Sequence, residues 1–398
     1  MKELEFKMRL LSDLNLKEKK VLVRTDLNVP LDKNGKITDL NRIKQTIPTI
    51  KYIIENEGTA IIISHLGRPN GKPDQKASLA PAAEALSKLL GQEVPLAPDC
   101  IGAEVENMVK NSKPGQVILL ENLRFHAGEK NNDANFSKSL ASLADVFVND
   151  AFATAHREHA SMVGVPNFFS EKAAGLLMQK ELEFTSKALD NPKRPLCVIL
   201  GGAKVSSKLT ALINIADKAD KIIIGGAMAN TFLAAQGAQM GRSLFEPELF
   251  GKVIELIGRL ARRDCKLYLP VDFVVGPSLN SKGLGRAVTA QEIPADSMAL
   301  DIGPATSLLY KEALQTAETI IWNGPMGAFE NEDFAEGTTS MCEHLANAHG
   351  LTLVGGGDTD AAIHKMELNH KFDYISTGGG AFLTLLEGKT LPAIKSLS

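Results

Sequence analysis

The stretch Lys20-Val21-Leu22-Val23-Arg24-Thr25-Asp26-Leu27-Asn28-Val29-Pro30 joins a short apolar run, which reads as a buried strand, to a polar turn. Behind it, Asn41 to Glu57 sets Ile43, Ile47, Ile50, Ile53 and Ile54 at helical spacing, with Gly58 placed as a C-cap, and the pattern predicts a helix despite Pro48. Thr59 to Ser64, Gln116 to Leu120 and Asp145 to Val148 repeat the short apolar run with a polar loop behind it. Strands that alternate with helices predict a parallel sheet. The rhythm resumes in the second half with Leu196 to Leu200, Lys221 to Ile224, Lys266 to Leu269, Thr319 to Trp322, Leu351 to Val354 and Tyr374 to Ser376. Between the halves, Glu171 to Leu189 reads as one helix, and the two prolines of Asp190-Asn191-Pro192-Lys193-Arg194-Pro195 mark the expected domain junction. No self-similarity at a period of roughly 20 to 50 residues occurs, which excludes a solenoid. Two α/β domains of similar size are expected.

Composition narrows the function. The 398 residues carry 44 Lys+Arg against 47 Asp+Glu, a formal charge of −3, which argues against nucleic-acid binding through bulk charge. The four cysteines, Cys100, Cys197, Cys265 and Cys342, lie far apart with no CxxC pair, so neither a disulfide framework nor a thiolate zinc site is expected. Met1-Lys2-Glu3-Leu4-Glu5-Phe6 places acids where a secretory signal needs an apolar core, and no apolar run approaches the ~18 residues of a membrane helix. A soluble, cytoplasmic protein is the expectation.

Ligands of a parallel sheet bind beyond the carboxyl ends of its strands, so the chemistry is sought there. In the first half these positions are basic: Arg24 before Asp26-Leu27-Asn28, then His65-Leu66-Gly67-Arg68-Pro69, Glu121-Asn122-Leu123-Arg124-Phe125-His126 and Ala155-His156-Arg157, while Arg42 opens the first helix. Every arginine up to residue 190 except Arg9 belongs to this set, although acids and bases balance over the same span. One arginine usually means a surface ion pair. Several at shared strand ends point to a small, highly anionic ligand, because the planar guanidinium fork matches phosphate and carboxylate oxygens. His65, His126, His156 and His159 raise the possibility of metal, but His156-Arg157-Glu158-His159 lacks the H-E-x-x-H order and no carboxylate set accompanies it.

In the second half the strand ends carry glycine: Gly201-Gly202-Ala203-Lys204-Val205-Ser206-Ser207-Lys208, Gly225-Gly226, Asn323-Gly324-Pro325-Met326-Gly327, Gly355-Gly356-Gly357-Asp358-Thr359 and Gly378-Gly379-Gly380. A glycine pair alone is commonly a tight turn. Five such loops suggest helix N-termini that offer free N–H groups to phosphate, with Lys204 and Lys208 one helical turn apart and Asp358 available for a hard cation. The expected ligand is a nucleotide polyphosphate with Mg²⁺. Neither the Walker A motif nor G-x-G-x-x-G occurs, so this is not a P-loop protein or an evident dinucleotide reader.

The quoted stretch from Val21 to Pro30 resembles the signature of phosphoglycerate kinases, as do His65 to Pro69, Gly201 to Val205, Trp322 to Gly327, Gly355 to Asp358 and Ser376 to Ala381. The resemblance spans almost the whole chain; Ala153, Glu158 and Ala328 stand where glycine, alanine and a larger aliphatic residue are expected. It implies an α/β fold of two doubly wound parallel-sheet (Rossmann-like) domains joined by a helix hinge. Residues 1–185 would bind 3-phosphoglycerate, 186–390 the nucleotide, and the tail 391–398 would return to the first domain. The implied substrate residues are Asp26, Leu27, Asn28, Arg42, His65, Leu66, Gly67, Arg68, Arg124 and Arg157. Lys208, Glu330, Gly356, Gly357, Asp358 and Thr359 would hold ATP or ADP, with Asp358 on Mg²⁺, and Arg42, Lys204, Gly378 and Gly379 would serve the transferred phosphoryl group. The implied reaction is phosphoryl transfer between 1,3-bisphosphoglycerate and ADP, in a monomer whose lobes close about the central helix. Two rival readings are a pseudo-enzyme that keeps both anion sites for regulation, which would show no turnover, and a dehydrogenase, which would bind nicotinamide.

Overall fold

Strand β1 (Lys20–Arg24) is buried from Val21 onward, as a central parallel strand covered on both faces must be. The computed structural model describes residues 8–398, so the acidic segment from Met1 to Phe6 lies outside the described residues. β1 pairs in parallel with β2 (Thr59–Ile63) on one side and with β4 (Val146–Asn149) on the other. β3 (Val117–Leu119) and β5 (Lys172–Ala174) complete a sheet of order β3-β2-β1-β4-β5. The chain leaves β1 in one direction to β2 and β3 and crosses to the other side for β4 and β5. The switch point, where a crevice opens, therefore lies beyond the ends of β1 and β4. The helix Asn41–Glu55 covers one face through Ile43, Ile50 and Ile53, all fully buried, and Pro48 is accommodated inside it.

The span from Glu171 to Leu189 is not one helix. Lys172–Ala174 is captured by β4 as β5, and the helix Leu176–Leu189 begins only after Gly175. Its first turn is capped by the buried Asp150, whose Oδ1 accepts from the N–H groups of Leu177 (2.9 Å) and Met178 (3.2 Å). A side chain at position 175 would run into that carboxylate, which explains the glycine.

The second parallel sheet has the order β14-β13-β12-β6-β7-β8. Its strands are β6 (Leu196–Leu200), β7 (Lys221–Ile224), β8 (Lys266–Tyr268), β12 (Thr319–Asn323), β13 (Leu351–Gly355) and β14 (Tyr374–Ile375). Its switch point falls between β6 and β12, under the Gly201-Gly202 and Gly324 loops. A further sheet, absent from the sequence reading, is antiparallel: β9 (Asp272–Gly276) lies between β10 (Arg286–Thr289) and β11 (Met298–Ile302).

The chain divides into one unit up to Glu183 together with Thr390–Ser398, and a second from Phe184 to Lys389. The division falls inside the helix Leu176–Leu189, not at the proline-bearing stretch 190–195. Hydrogen bonds from Thr319 Oγ1 to Lys193 O, Arg194 Nη1 to Asp220 Oδ1 and Glu318 N to Pro195 O tie that stretch to the second unit. In the first unit, the helix Pro392–Leu397 buries Ala393 and Leu397, with Leu391 buried just before it. Ala393 N–H donates to Ala155 O (3.1 Å), and Lys172 Nζ to Ser396 O (2.7 Å). Among the described residues no helix is long and apolar enough to cross a membrane.

Candidate active site

In the first unit the loop after β1 is locked to the loop after β2. Leu27 N–H donates to Ser64 Oγ (2.8 Å), Ser64 Oγ to Thr25 O (2.8 Å), and Gly67 N–H to Asn28 Oδ1 (2.8 Å). Leu27 and Leu66 are buried, so their side chains anchor the loops. Asp26 accepts from Asn28 N–H (3.2 Å) and from Arg42 Nη1 (2.6 Å). Gly67 has φ +63°, a left-handed conformation that explains glycine there, and its carbonyl accepts from Arg124 Nη1 at 2.6 Å. The segments around Asp26, His65, Arg124 and Arg157 thus meet at one switch point.

Their charges act on one another. Arg124 is pushed down to about 10, first by burial and then by Arg157 and Arg24, with Arg68 adding to it. His159 falls to about 4 through burial, Arg124, Arg157 and Arg24, and burial with the charge of Arg157 lowers His156. Arg68 and Arg157 have no hydrogen bond or ion pair from their guanidinium groups among the described residues. Arg124 Nε, Thr25 Oγ1 and His156 Nδ1 are buried without a partner. Cations and unsatisfied donors gathered at a strand-end crevice are what a polyvalent anion satisfies.

Arg24 departs from this pattern. It ends β1, but its side chain is 1% exposed and is used up inside the protein, on Ser161, the Thr25 carbonyl and His65. Ser161, Glu129 and the inward turn of Arg24 escaped the sequence reading, because Ser161 lies 137 positions from Arg24 and nothing local marks the pair.

Of the metal-capable side chains described, Asp99, Cys100 and His126 bring ligand atoms within 4.8 Å of one another. His126 Nε2 and Asp99 Oδ1 already share a 2.7 Å hydrogen bond, and Cys100 is sealed as a neutral thiol by burial and by Asp99. A hydrogen-bonded turn over a core cysteine accounts for the group.

In the second unit the glycines serve two purposes. Gly202 (φ +110°), Gly226 (φ +64°) and Gly324 (φ +100°) let three loops pack backbone against backbone: a Cβ on Gly226 would lie 2.5 Å from Gly202 N. Gly356-Gly357 and Gly378-Gly379 instead open helices, Gly357–Lys365 and Gly379–Leu386. A Cβ on Gly379 would stand 3.0 Å from Gly356 Cα, so two helix N-termini lie side by side, and the space over Gly357 is open. Asp358 is exposed in the first turn of its helix, and Thr359 is turned inward, its Oγ1 accepting from Gly324 N–H (2.8 Å). Glu330 is exposed and lines a cavity of about 740 Å³ with Leu279, Asn280, Lys282 and Ala328.

Lys204 and Lys208 do not share a helix, since the helix here is Leu209–Ile215 and both lysines precede it. The glycine turn delays the start. Lys204 is exposed, whereas Lys208 folds back and donates to Gly201 O (2.6 Å) and Asn323 O (2.9 Å). Burial pushes Lys208 down to about 8, against the opposing charge of Asp358.

Similarity to known proteins extends along nearly the whole chain. The family model described as "Phosphoglycerate kinase" matches residues 11–389. A phosphoglycerate kinase from Geobacter sp. (strain M21) is 53% identical over 383 residues, 96% of both chains, and one from Aquifex aeolicus is 50% identical over 387 residues, 97% of both. The structure of phosphoglycerate kinase from Coxiella burnetii superimposes with a TM-score of 0.89 at 44% identity, and that from Pyrococcus horikoshii OT3 with 0.84 at 35%, each covering 98% of both chains. With switch-point loops of opposite character in its two units and this similarity along nearly its full length, the chain belongs to the phosphoglycerate kinase family.

Proposed function

We propose that the basic loops of the first unit hold 3-phosphoglycerate and the glycine loops of the second hold ATP or ADP, in the reaction that this family catalyses. That reaction is the reversible transfer of a phosphoryl group between the acyl phosphate of 1,3-bisphosphoglycerate and ADP, giving ATP and 3-phosphoglycerate. The observation that carries the assignment is the uncompensated positive charge at the first switch point, with Arg124 Nε buried and unsatisfied beside the free side chains of Arg68 and Arg157.

Asp26, Leu27 and Asn28, with His65, Leu66, Gly67 and Arg68, shape the substrate crevice, and Arg42, Arg124 and Arg157 meet its anionic groups. In the second unit Glu330 and its cavity take the nucleoside. Gly356, Gly357 and Thr359 form the phosphate end, and Lys208 leaves the carbonyls of Gly201 and Asn323 for a phosphate oxygen. The open carboxylate of Asp358 beside free helix N–H groups fits a hard cation that is also bound by phosphates. Mg²⁺ held there would neutralise charge between phosphate oxygens. Phosphoryl transfer is in line, with charge spread over equatorial oxygens, so catalysis is positioning and electrostatic stabilisation. Arg42, Lys204 and the helix terminus at Gly378 and Gly379 supply it. The protein works as a monomer in the cytoplasm: each unit carries its own loop set, and the four buried free cysteines suit a reducing compartment.

A coupled assay with 3-phosphoglycerate and ATP should give turnover. Asp358→Asn should weaken Mg-nucleotide binding by about tenfold and leave 3-phosphoglycerate binding unchanged in titration calorimetry. Equal losses for both ligands would overturn the assignment of Asp358.

A further inference from the structure

Arg24 and His65 are both almost fully buried, and the contact between them fixes which imidazole nitrogen carries the proton. Arg24 Nη2 lies 3.2 Å from His65 Nδ1. A guanidinium has donors only and stays charged, so Nδ1 must be the acceptor and the proton of the neutral ring must sit on Nε2. The competing influence is Asp26, whose Oδ1 would favour a proton on Nδ1. It stands 4.0 Å away, beyond hydrogen-bond reach, and the other oxygen of that carboxylate is held by Arg42 at 2.6 Å. Arg24 is itself held in place. Its Nε–H donates to Ser161 Oγ (2.8 Å), its Nη1–H to the Thr25 carbonyl, and Ser161 passes the contact on by donating from Oγ (2.7 Å) and from N–H (2.9 Å) to the fully buried Glu129. No hydrogen bond links His65 Nε2 to any other described residue, which leaves this N–H for a bound ligand to accept.

We infer that Arg24 is a positioning residue, fixing His65 as the neutral Nε2–H tautomer and thereby making it a fixed hydrogen-bond donor to an oxygen of the bound 3-phosphoglycerate. The inference rests on the assignment of His65 to that substrate. The surroundings support a neutral ring: burial comes first, followed by the charges of Arg24, Arg124 and Arg157 and by His159, and together they hold His65 well below the ordinary histidine range, with Asp26 the acid that faces it. A neutral ring with its lone pair occupied cannot act as a base, and it need not lose a proton to serve as a donor. Arg24 therefore shapes substrate binding without touching substrate.

The test is nitrogen NMR on the intact protein with labelled histidine, His65 being assigned through His65→Gln. Expected is a pyridine-like Nδ1 and a pyrrole-like Nε2 that do not titrate between about pH 8 and 6; a proton on Nδ1 in that range overturns the inference. A second arm uses Arg24→Met with Glu129→Gln, which removes both buried charges together. There the two nitrogens should average toward each other, and KM for 3-phosphoglycerate should rise about tenfold with KM for ATP unchanged. Unaltered resonances, or unaltered KM with altered resonances, overturn the positioning role. If the double variant does not fold, the native resonances decide alone. His65→Ala, which leaves no donor at that place, separates the two readings: an unchanged KM in that variant removes the substrate assignment, while a raised KM there with none in the double variant removes only Arg24.

Discussion

Arg42 reaches Asp26 across the crevice floor at 2.6 Å while keeping 39% of its side chain exposed, so it is aimed but not buried. A cation placed this way can follow charge as it develops, and it should matter more in the transition state than in the ground state. Arg42→Met should lower kcat by about 100-fold, the scale of losing one transition-state donor, and change KM far less. A raised KM with unchanged kcat would contradict this. The histidines invite the opposite role, that of a base. The acceptor, however, is a carboxylate with a pKa of roughly 3 to 4, already ionised at neutral pH, so no proton has to be removed. In His65→Gly, any recovery with added imidazoles should therefore not follow their pKa; recovery that does would show proton transfer. The arginines of this crevice were legible from residue type and strand-end position. The inward turn of Arg24 was not, because its fate depends on Ser161 and Glu129, which only the tertiary fold brings near.

At the scale of elements, what could be read depended on how each strand is covered. β1, β2, β6 and β12 are sealed on both faces and leave continuous apolar runs in the sequence. β10 is the exposed edge Arg286-Ala287-Val288-Thr289, polar enough to read as a loop, and β5 is three residues long inside a helical pattern. The site followed the same logic: glycine loops were visible, but Lys204 and Lys208 were placed on a helix that starts only at Leu209. The tail gives a test at this scale. Its helix Pro392–Leu397 carries backbone and side-chain bonds to Ala155, Met162 and Lys172, and Ala155 lies two residues from Arg157. Deleting Leu391 to Ser398 uncovers apolar surface and frees that segment. The melting temperature should fall by several degrees and KM for 3-phosphoglycerate should rise; unchanged values for both would show that the docked helix is dispensable.

Over the whole molecule, the buried ionisable groups make the two units respond to pH in opposite ways. In the second unit Asp301 accepts from Gly337 N–H (2.6 Å) and Ile302 N–H (2.9 Å), yet burial outweighs these bonds and lifts it to about 8. The fold then holds a proton that the unfolded chain has released, so this contribution to stability declines as pH rises from about 4 to about 8. From pH 6.5 to 8 Asp301 leads, because His344, lowered mainly by burial, matters only below its ordinary 6.5, and Lys208, at about 8, only above. Beyond pH 8 the buried thiols of Cys197, Cys265 and Cys342, raised to between about 11 and about 12, add a loss of the same sign. The first unit has the reverse slope. His65, well below the ordinary range, and His159, at about 4, resist protonation in the fold while the unfolded chain takes up protons below 6.5, and His156 is lowered in the same sense, so stability falls on acidification through that value. Asp150, lifted to about 6 by burial, opposes them below pH 6. Native-state hydrogen exchange, corrected for intrinsic rates, should therefore show protection in the second unit falling from pH 6.5 to 8 while the first unit stays level, and protection in the first unit falling from pH 6.5 to 5. Asp301→Asn should flatten the alkaline slope of the second unit, whatever it does to absolute stability. A slope that persists in that variant, or slopes of one sign in both units, would mean that these carboxyls and imidazoles do not set the pH response.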